Sequence, residues 1–170
     1  DIAPDKQNID RVFSNTTYHI DFYQRDYKWN AEPVLRLLDD VFFKFEQEYE
    51  MFKDLDPNKE TVMAKYSWYY LNTYVTNTVE GKVYIVDGQQ RLTTLTLILI
   101  KLLSKAKELA CKDTFSRWIE SKIAGYSGDG FSFWMNHERS IKVLEDLFEG
   151  NKELNEIDTS NSITSVNMVN

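Results

Sequence analysis

Asp87, Gly88, Gln89, Gln90 and Arg91 are consecutive and bring together a carboxylate, a residue without Cβ, two amides and a guanidinium. They stand between a short β-type run, KVYIV at 82–86, and an apolar stretch that begins at Leu92. A turn from strand to helix leaves backbone N–H groups pointing out of the helix N-terminus, and such groups favour anions. Gly88 permits close approach to the backbone, and Arg91 could grip phosphate oxygens with two parallel hydrogen bonds. Asp87 could hold a divalent cation or accept a proton. Asp87 and Gln90 also have the spacing of a capping box, in which each side chain satisfies a donor of the first helical turn. Spacing alone leaves both readings open. The glycine-rich GxxxxGK[ST] phosphate loop is absent.

A second cluster, Tyr23, Gln24, Arg25, Tyr27, Lys28 and Trp29, could supply a stacking ring and another cation. Taken alone, it reads as an ordinary strand with solvated charges. Thr93 and Thr94 could touch phosphate or metal, although Thr in an apolar helix more often bonds back to its own backbone. Cys111 and His137 read as structural or surface residues.

The whole chain narrows the chemistry further. Its 170 residues suit one core with a helical appendage. A formal charge of −7 opposes a general nucleic-acid coat, so any DNA contact within the chain must be local. One cysteine precludes an internal disulfide and a Cys-based zinc site, and fits a reducing, cytoplasmic setting. His19 and His137 are too few and too far apart for a His-rich metal centre. The apolar run 95–103 is much shorter than the ~20 residues of a bilayer span and reads as a buried core helix. The chain starts at Asp1 without a methionine or a signal-peptide pattern, as an excised fragment would.

The elements that must position these residues follow from local pattern. Residues 18–29 read as a strand and a loop. Asn30 then caps a helix that tolerates Pro33 in its first turn. Val34, Leu37, Leu38, Val41, Phe42, Phe45, Tyr49 and Phe52 recur at helical spacing, with Arg36, Asp39, Asp40, Lys44, Glu46 and Glu48 on the opposite face. Residues 53–65 read as a loop. SWYYLNTYV at 67–75 and KVYIV at 82–86 read as an antiparallel strand pair with Thr76, Asn77, Glu80 and Gly81 between them. Phe115, Trp118, Ile119 and Ile123 suggest a short helix stopped by Gly125, and 125–130 a flexible loop. Ile141, Leu144, Leu147 and Phe148 suggest another helix, stopped by Gly150, before a polar tail that ends inside an incomplete element.

FYQRDYKW at 22–29 together with VYIVDGQQRLTTLTLILIKLL at 83–103 resembles the N-terminal domain of GmrSD-type restriction proteins. LLDDVF at 37–42 fits too, and the resemblance covers about residues 9–150. The chain reads Leu71, Asn72, Thr73 where the family usually has Leu-Gly-Ser. The resemblance implies a ParB/sulfiredoxin-like fold that hydrolyses or senses nucleoside triphosphates in defence against modified phage DNA. By motif it implies that Gln24, Arg25, Asp87, Gln89, Gln90 and Arg91 line a nucleotide site. It carries no counterpart of the sulfiredoxin cysteine. An HNH-type nuclease, which nothing in this chain resembles, would lie in a C-terminal domain or a partner.

The expectation is therefore an α+β fold, a small mixed sheet with packed helices and a helical C-terminal part. Residues 1–110 would form the nucleotide-binding domain and 111–170 its helical extension. Asp87, Gln89, Gln90 and Arg91 would be catalytic, with Asp87 also meeting Mg²⁺. Tyr23, Gln24, Arg25, Gly88, Thr93 and Thr94 would bind the nucleotide. DNA would be engaged through the full-length protein, and no membrane is involved. The alternative is a non-catalytic nucleotide- or DNA-sensing module that regulates an attached or partner nuclease. A ligand-free protein-interaction domain fits the paired motifs least.

Overall fold

A computed structural model describes residues 3–21, 23–128 and 130–170. Phe22 of the first motif and Asp129 of the 125–130 segment lie outside the described residues. The chain forms two compact units, Asp1–Lys28 with Tyr74–Asn170, and Trp29–Thr73.

The larger unit is built on a short mixed sheet. After a single helical turn, α1 (Ile9–Val12), the chain enters β1 (Tyr18–His19). The strands β2 (Val75–Val79) and β3 (Lys82–Asp87) form the expected antiparallel pair, but the first strand lies further along than its aromatic run suggested. The reason is the turn. Glu80 and Gly81 have φ of 51° and 79°, the paired left-handed conformation of a two-residue hairpin, which draws Thr76 and Asn77 into the strand. Trp68 and Tyr70, 72% and 74% exposed, remain outside any strand.

β1 pairs parallel with β3, Tyr18 opposite Val83 and His19 opposite Tyr84. On its other edge it pairs parallel with β6 (Met135–Asn136), giving the order β2-β3-β1-β6. Two residues suffice for a central strand because Tyr18 is buried and its hydroxyl donates to the Val12 carbonyl at 2.8 Å.

β3 runs directly into α4 (Gln89–Glu108), the long apolar helix anticipated from the sequence. Leu92, Leu95, Leu99 and Leu103 recur every three or four residues on its buried side. The helix packs against α5 (Asp113–Ile123), and Phe13, Ile85, Ile119, Ile123, Met135, Val143 and Leu144 complete the core.

The segment read as a flexible loop at 125–130 instead contributes to a second sheet. β4 (Ala124–Ser127) pairs antiparallel with β5 (Gly130–Phe133). Gly125 does not stop a helix here: a Cβ on it would lie 2.5 Å from the Trp134 ring, so glycine makes room for that indole. The C-terminal part thus carries strands as well as α6 (Ile141–Glu149) and α7 (Ile163–Val169). Gly150 ends α6 with φ 67°, as expected.

In the smaller unit, Asn30 caps α2 (Ala31–Phe52) by accepting the Glu32 N–H at 3.2 Å. Its helical spacing was legible, but the apolar stripe is not a core face: Phe42, Phe45 and Tyr49 are about half exposed, and Leu37 is the buried apolar residue. Glu48, assigned to the solvated face, is buried. Its carboxylate accepts the Ser67 N–H at 2.7 Å and meets Lys44 at 3.3 Å, and the Ser67 hydrogen bond is the main influence lowering its pKa. Residues 59–65, read as loop, form α3 (Lys59–Lys65) because Asn58 caps it through the Thr61 N–H at 2.8 Å. Asn72 has φ 112°, a conformation that favours glycine and that Asn tolerates better than most residues.

The chain is a mixed α+β protein. No helix among the described residues is long and apolar enough to cross a membrane.

Candidate functional site

The site grows from the β3–α4 junction. β3 delivers Asp87 exposed at its end, and Gly88 takes φ 92° to turn the chain into the helix. Gly88 is the helix cap and offers no side chain, so the first turn of a 20-residue helix starts without a side-chain cap. The capping box is therefore not formed. Asp87 Oδ1 accepts the Gly88 N–H at 2.8 Å, and the Gln90 amide points elsewhere.

Gln89 and Gln90 cross to the first motif. Gln89 Nε2 donates to the Arg25 carbonyl at 2.8 Å. Gln90 Nε2 donates to the Asp26 carbonyl at 2.8 Å, while its Oε1 accepts the Lys28 N–H at 2.7 Å. Gln24 returns the contact by donating from Nε2 to the Ile85 carbonyl on β3. Three glutamines thus lace residues 24–28 to the end of β3 and the start of α4. Each substitutes for a backbone partner, which a loop of this kind lacks.

The remaining predicted residues divide by exposure. Tyr23 is 90% exposed, and Arg25 and Asp87 are also exposed. Arg91 is half-buried in the first turn of α4. Thr93 and Thr94 lie inside the fold. Thr94 Oγ1 donates to the Gln90 carbonyl at 2.9 Å and lies 2.9 Å from the Tyr27 hydroxyl. Burial raises the Tyr27 pKa against the opposing effect of that Thr94 bond, so the phenol stays protonated. Thr93 Oγ1 lies 2.8 Å from His137 Nε2. Burial pushes His137 down to about 4, which leaves it neutral at physiological pH.

Sequence reasoning missed three supports. His137 is structural, one of the two roles expected for it, but its contact with Thr93 in the second turn of α4 was not foreseen. Thr164 Oγ1 accepts the Tyr27 N–H at 3.0 Å and donates to Asp26 Oδ1 at 3.1 Å. Asn167 Nδ2 donates to the Tyr27 carbonyl at 2.7 Å. More than a hundred residues separate Thr164 and Asn167 from Tyr27, and no local pattern announces them.

The donor set is poor in metal ligands. No group of three His, Cys, Asp or Glu residues able to hold a metal occurs among the described residues. Asp87 is exposed and could offer a single carboxylate ligand to a cation such as Mg²⁺, which commonly keeps several waters and takes only one or two protein carboxylates.

Fold and site together define a mixed α+β domain whose central strand–turn–helix is tied by amide side chains to an earlier loop. The chain belongs to the family described as GmrSD restriction endonuclease, N-terminal domain, whose model matches residues 8–168. It is thus a module of a restriction and phage-defence protein, a setting of DNA and a nuclease domain. No curated protein matches the chain.

Proposed function

We propose that residues 24–28 and 87–91 bind a nucleoside triphosphate with Mg²⁺ and hydrolyse its terminal phosphoanhydride bond. The observation that carries this reading is the Gln89 and Gln90 lacing, which puts the Arg25 backbone at the uncapped N-terminus of α4. Two cation-bearing segments therefore meet where a helix already favours an anion. ParB/sulfiredoxin-like architecture remains part of the same reading.

In this mechanism water attacks the γ-phosphorus, the bond to the β–γ bridging oxygen breaks, and the products are nucleoside diphosphate and phosphate. Arg25 and Arg91 balance charge on the phosphate oxygens. Asp87 orients the water or meets the Mg²⁺. Gln90 has both amide atoms engaged by the loop, whereas Gln89 Oε1 is a buried acceptor without a donor among the described residues. A bound water or ligand N–H would satisfy it, which makes Gln89 the better candidate for positioning water. Thr93, Thr94 and Tyr27 support the turn from inside.

The second reading is a module that senses nucleotide or DNA through the same residues and controls an attached or partner nuclease without turnover. DNA is engaged by the full-length protein in either case, given the charge of −7 on this chain. Phosphate release and calorimetric binding of magnesium ATP and magnesium GTP by the full-length protein, with and without DNA, separate the two. Turnover supports hydrolysis, saturable binding without turnover supports the sensor, and the absence of both overturns the nucleotide site.

A further inference from the structure

The loop between Arg25 and Lys28 has no strand or helix partner, yet its backbone is held group by group. The carbonyls of Arg25 and Asp26 and the N–H of Lys28 are taken by Gln89 and Gln90 of α4. The N–H and carbonyl of Tyr27 are taken by Thr164 and Asn167 of α7. Thr164 also donates to Asp26 Oδ1, which fixes the side chain next to Arg25. Thr164 is buried and Asn167 half-buried, so these bonds are shielded from competition by water.

Helix α7 spans seven residues and would be marginal without its contacts. It is seated from the other side by Ser165, a fully buried residue whose hydroxyl lies 2.9 Å from Ser140 Oγ at the start of α6. One face of α7 is therefore anchored to α6, and another grips the loop that carries Arg25. The two functions reside in different side chains and can be separated by mutation.

We propose that Thr164 and Asn167 are positioning residues of the nucleotide site, holding the Asp26–Tyr27 backbone so that Arg25 is presented at the start of α4. This rests on the nucleotide-binding reading above. The coupling is reciprocal: a ligand that engages Arg25 steadies the same loop, so it strengthens the grip of α7.

The experiment titrates magnesium ATP and magnesium GTP into the full-length wild-type protein and into Thr164→Val, Asn167→Ala, Thr164→Ser and Ser165→Ala. Thr164→Val keeps the shape and removes the hydroxyl; Thr164→Ser keeps the hydroxyl. The expected result is a loss of affinity of roughly tenfold for Thr164→Val and for Asn167→Ala, as for a lost hydrogen bond of ordinary strength. Thr164→Ser should bind within about twofold of wild type, and Ser165→Ala should lose thermal stability while keeping its affinity. Amide exchange supplies a readout that general destabilisation does not mimic. Nucleotide should slow exchange at Tyr27 and Lys28 in wild type and far less in Thr164→Val. Wild-type binding with unchanged affinity in both Thr164→Val and Asn167→Ala overturns the positioning role alone. A matching loss of affinity in Ser165→Ala also overturns it, because the effect would then belong to the stability of α7. Absence of wild-type binding overturns the nucleotide reading and this inference with it.

Discussion

His137 should make the fold acid-sensitive in a window set by its own burial. Its pKa is lowered from 6.5 to about 4, and its Nε2 meets Thr93 beneath the start of α4. The folded value lies below the unfolded one, so the folded state resists the proton that the unfolded state accepts. The corresponding stability is fully present above about pH 6.5 and is lost as pH falls through about 4. Linkage gives a loss of about 2 kcal/mol between pH 7 and pH 5, growing to about 3 kcal/mol near pH 4. His137 retains partial solvent contact, which makes these upper values. Against a total of about 5–15 kcal/mol for a typical domain, even half of this is easily measured. Urea unfolding of wild type and His137→Gln at pH 7 and pH 5 isolates the effect, since glutamine can still meet Thr93 but does not titrate. Carboxylates with lowered pKa, such as Glu48 and Asp146, lose their contribution in both proteins and cancel. Wild type should lose up to about 2 kcal/mol more than the variant over this interval. Equal losses would refute the argument that a buried neutral imidazole supports this helix.

Gln90→Leu removes two hydrogen bonds to the loop backbone and should accelerate exchange at the Lys28 amide; unchanged protection would show that the amide does not hold the loop. The accompanying stability loss should be about 1–3 kcal/mol, two bonds of ordinary net strength, and smaller where water replaces them. Gly88→Ala forces a side chain into φ 92° and should destabilise by about 1–2 kcal/mol in thermal unfolding, and a neutral result would contradict the strain argument. Arg91→Lys keeps the charge but loses the planar fork, so nucleotide affinity should fall roughly tenfold or more while the fold persists. Equal affinity and equal turnover in calorimetry and phosphate-release assays would remove the phosphate role from Arg91. The isolated 170-residue domain should not cut DNA. Magnesium-dependent cleavage that survives in Asp87→Ala would contradict that expectation.

How much of this was legible in the sequence depends on the range of the forces involved. The α4 helix and the existence of an antiparallel pair before it were legible from local pattern, but the tight Glu80–Gly81 turn, left-handed at both residues, shifted the first strand from where its aromatic run suggested. Local pattern erred where a single residue outweighed composition. Asn58 starts a helix inside a charged, apparently aperiodic stretch, and Gly125 serves the Trp134 ring in a strand rather than ending a helix. The apolar stripe of α2 showed its helix but not its exposure, because spacing reports which residues share a face and not what covers that face.

The site was half legible for a more specific reason. Two adjacent glutamines stand before an arginine, and in the structure both amides bind loop backbone rather than cap the helix. An amide side chain donates and accepts at once, so it can stand in for a neighbouring strand along a loop that has none. Gln90 does this across Asp26 and Lys28, where a lysine would supply only donors and a carboxylate only acceptors. The residue types at 89–91 therefore divide by chemistry: amides suit the backbone they bind, and the guanidinium suits an anion. Sequence reasoning assigned both glutamines catalytic roles and did not foresee their hold on the loop backbone, because that loop and the α7 residues that share the task lie too far along the chain for any spacing rule to connect.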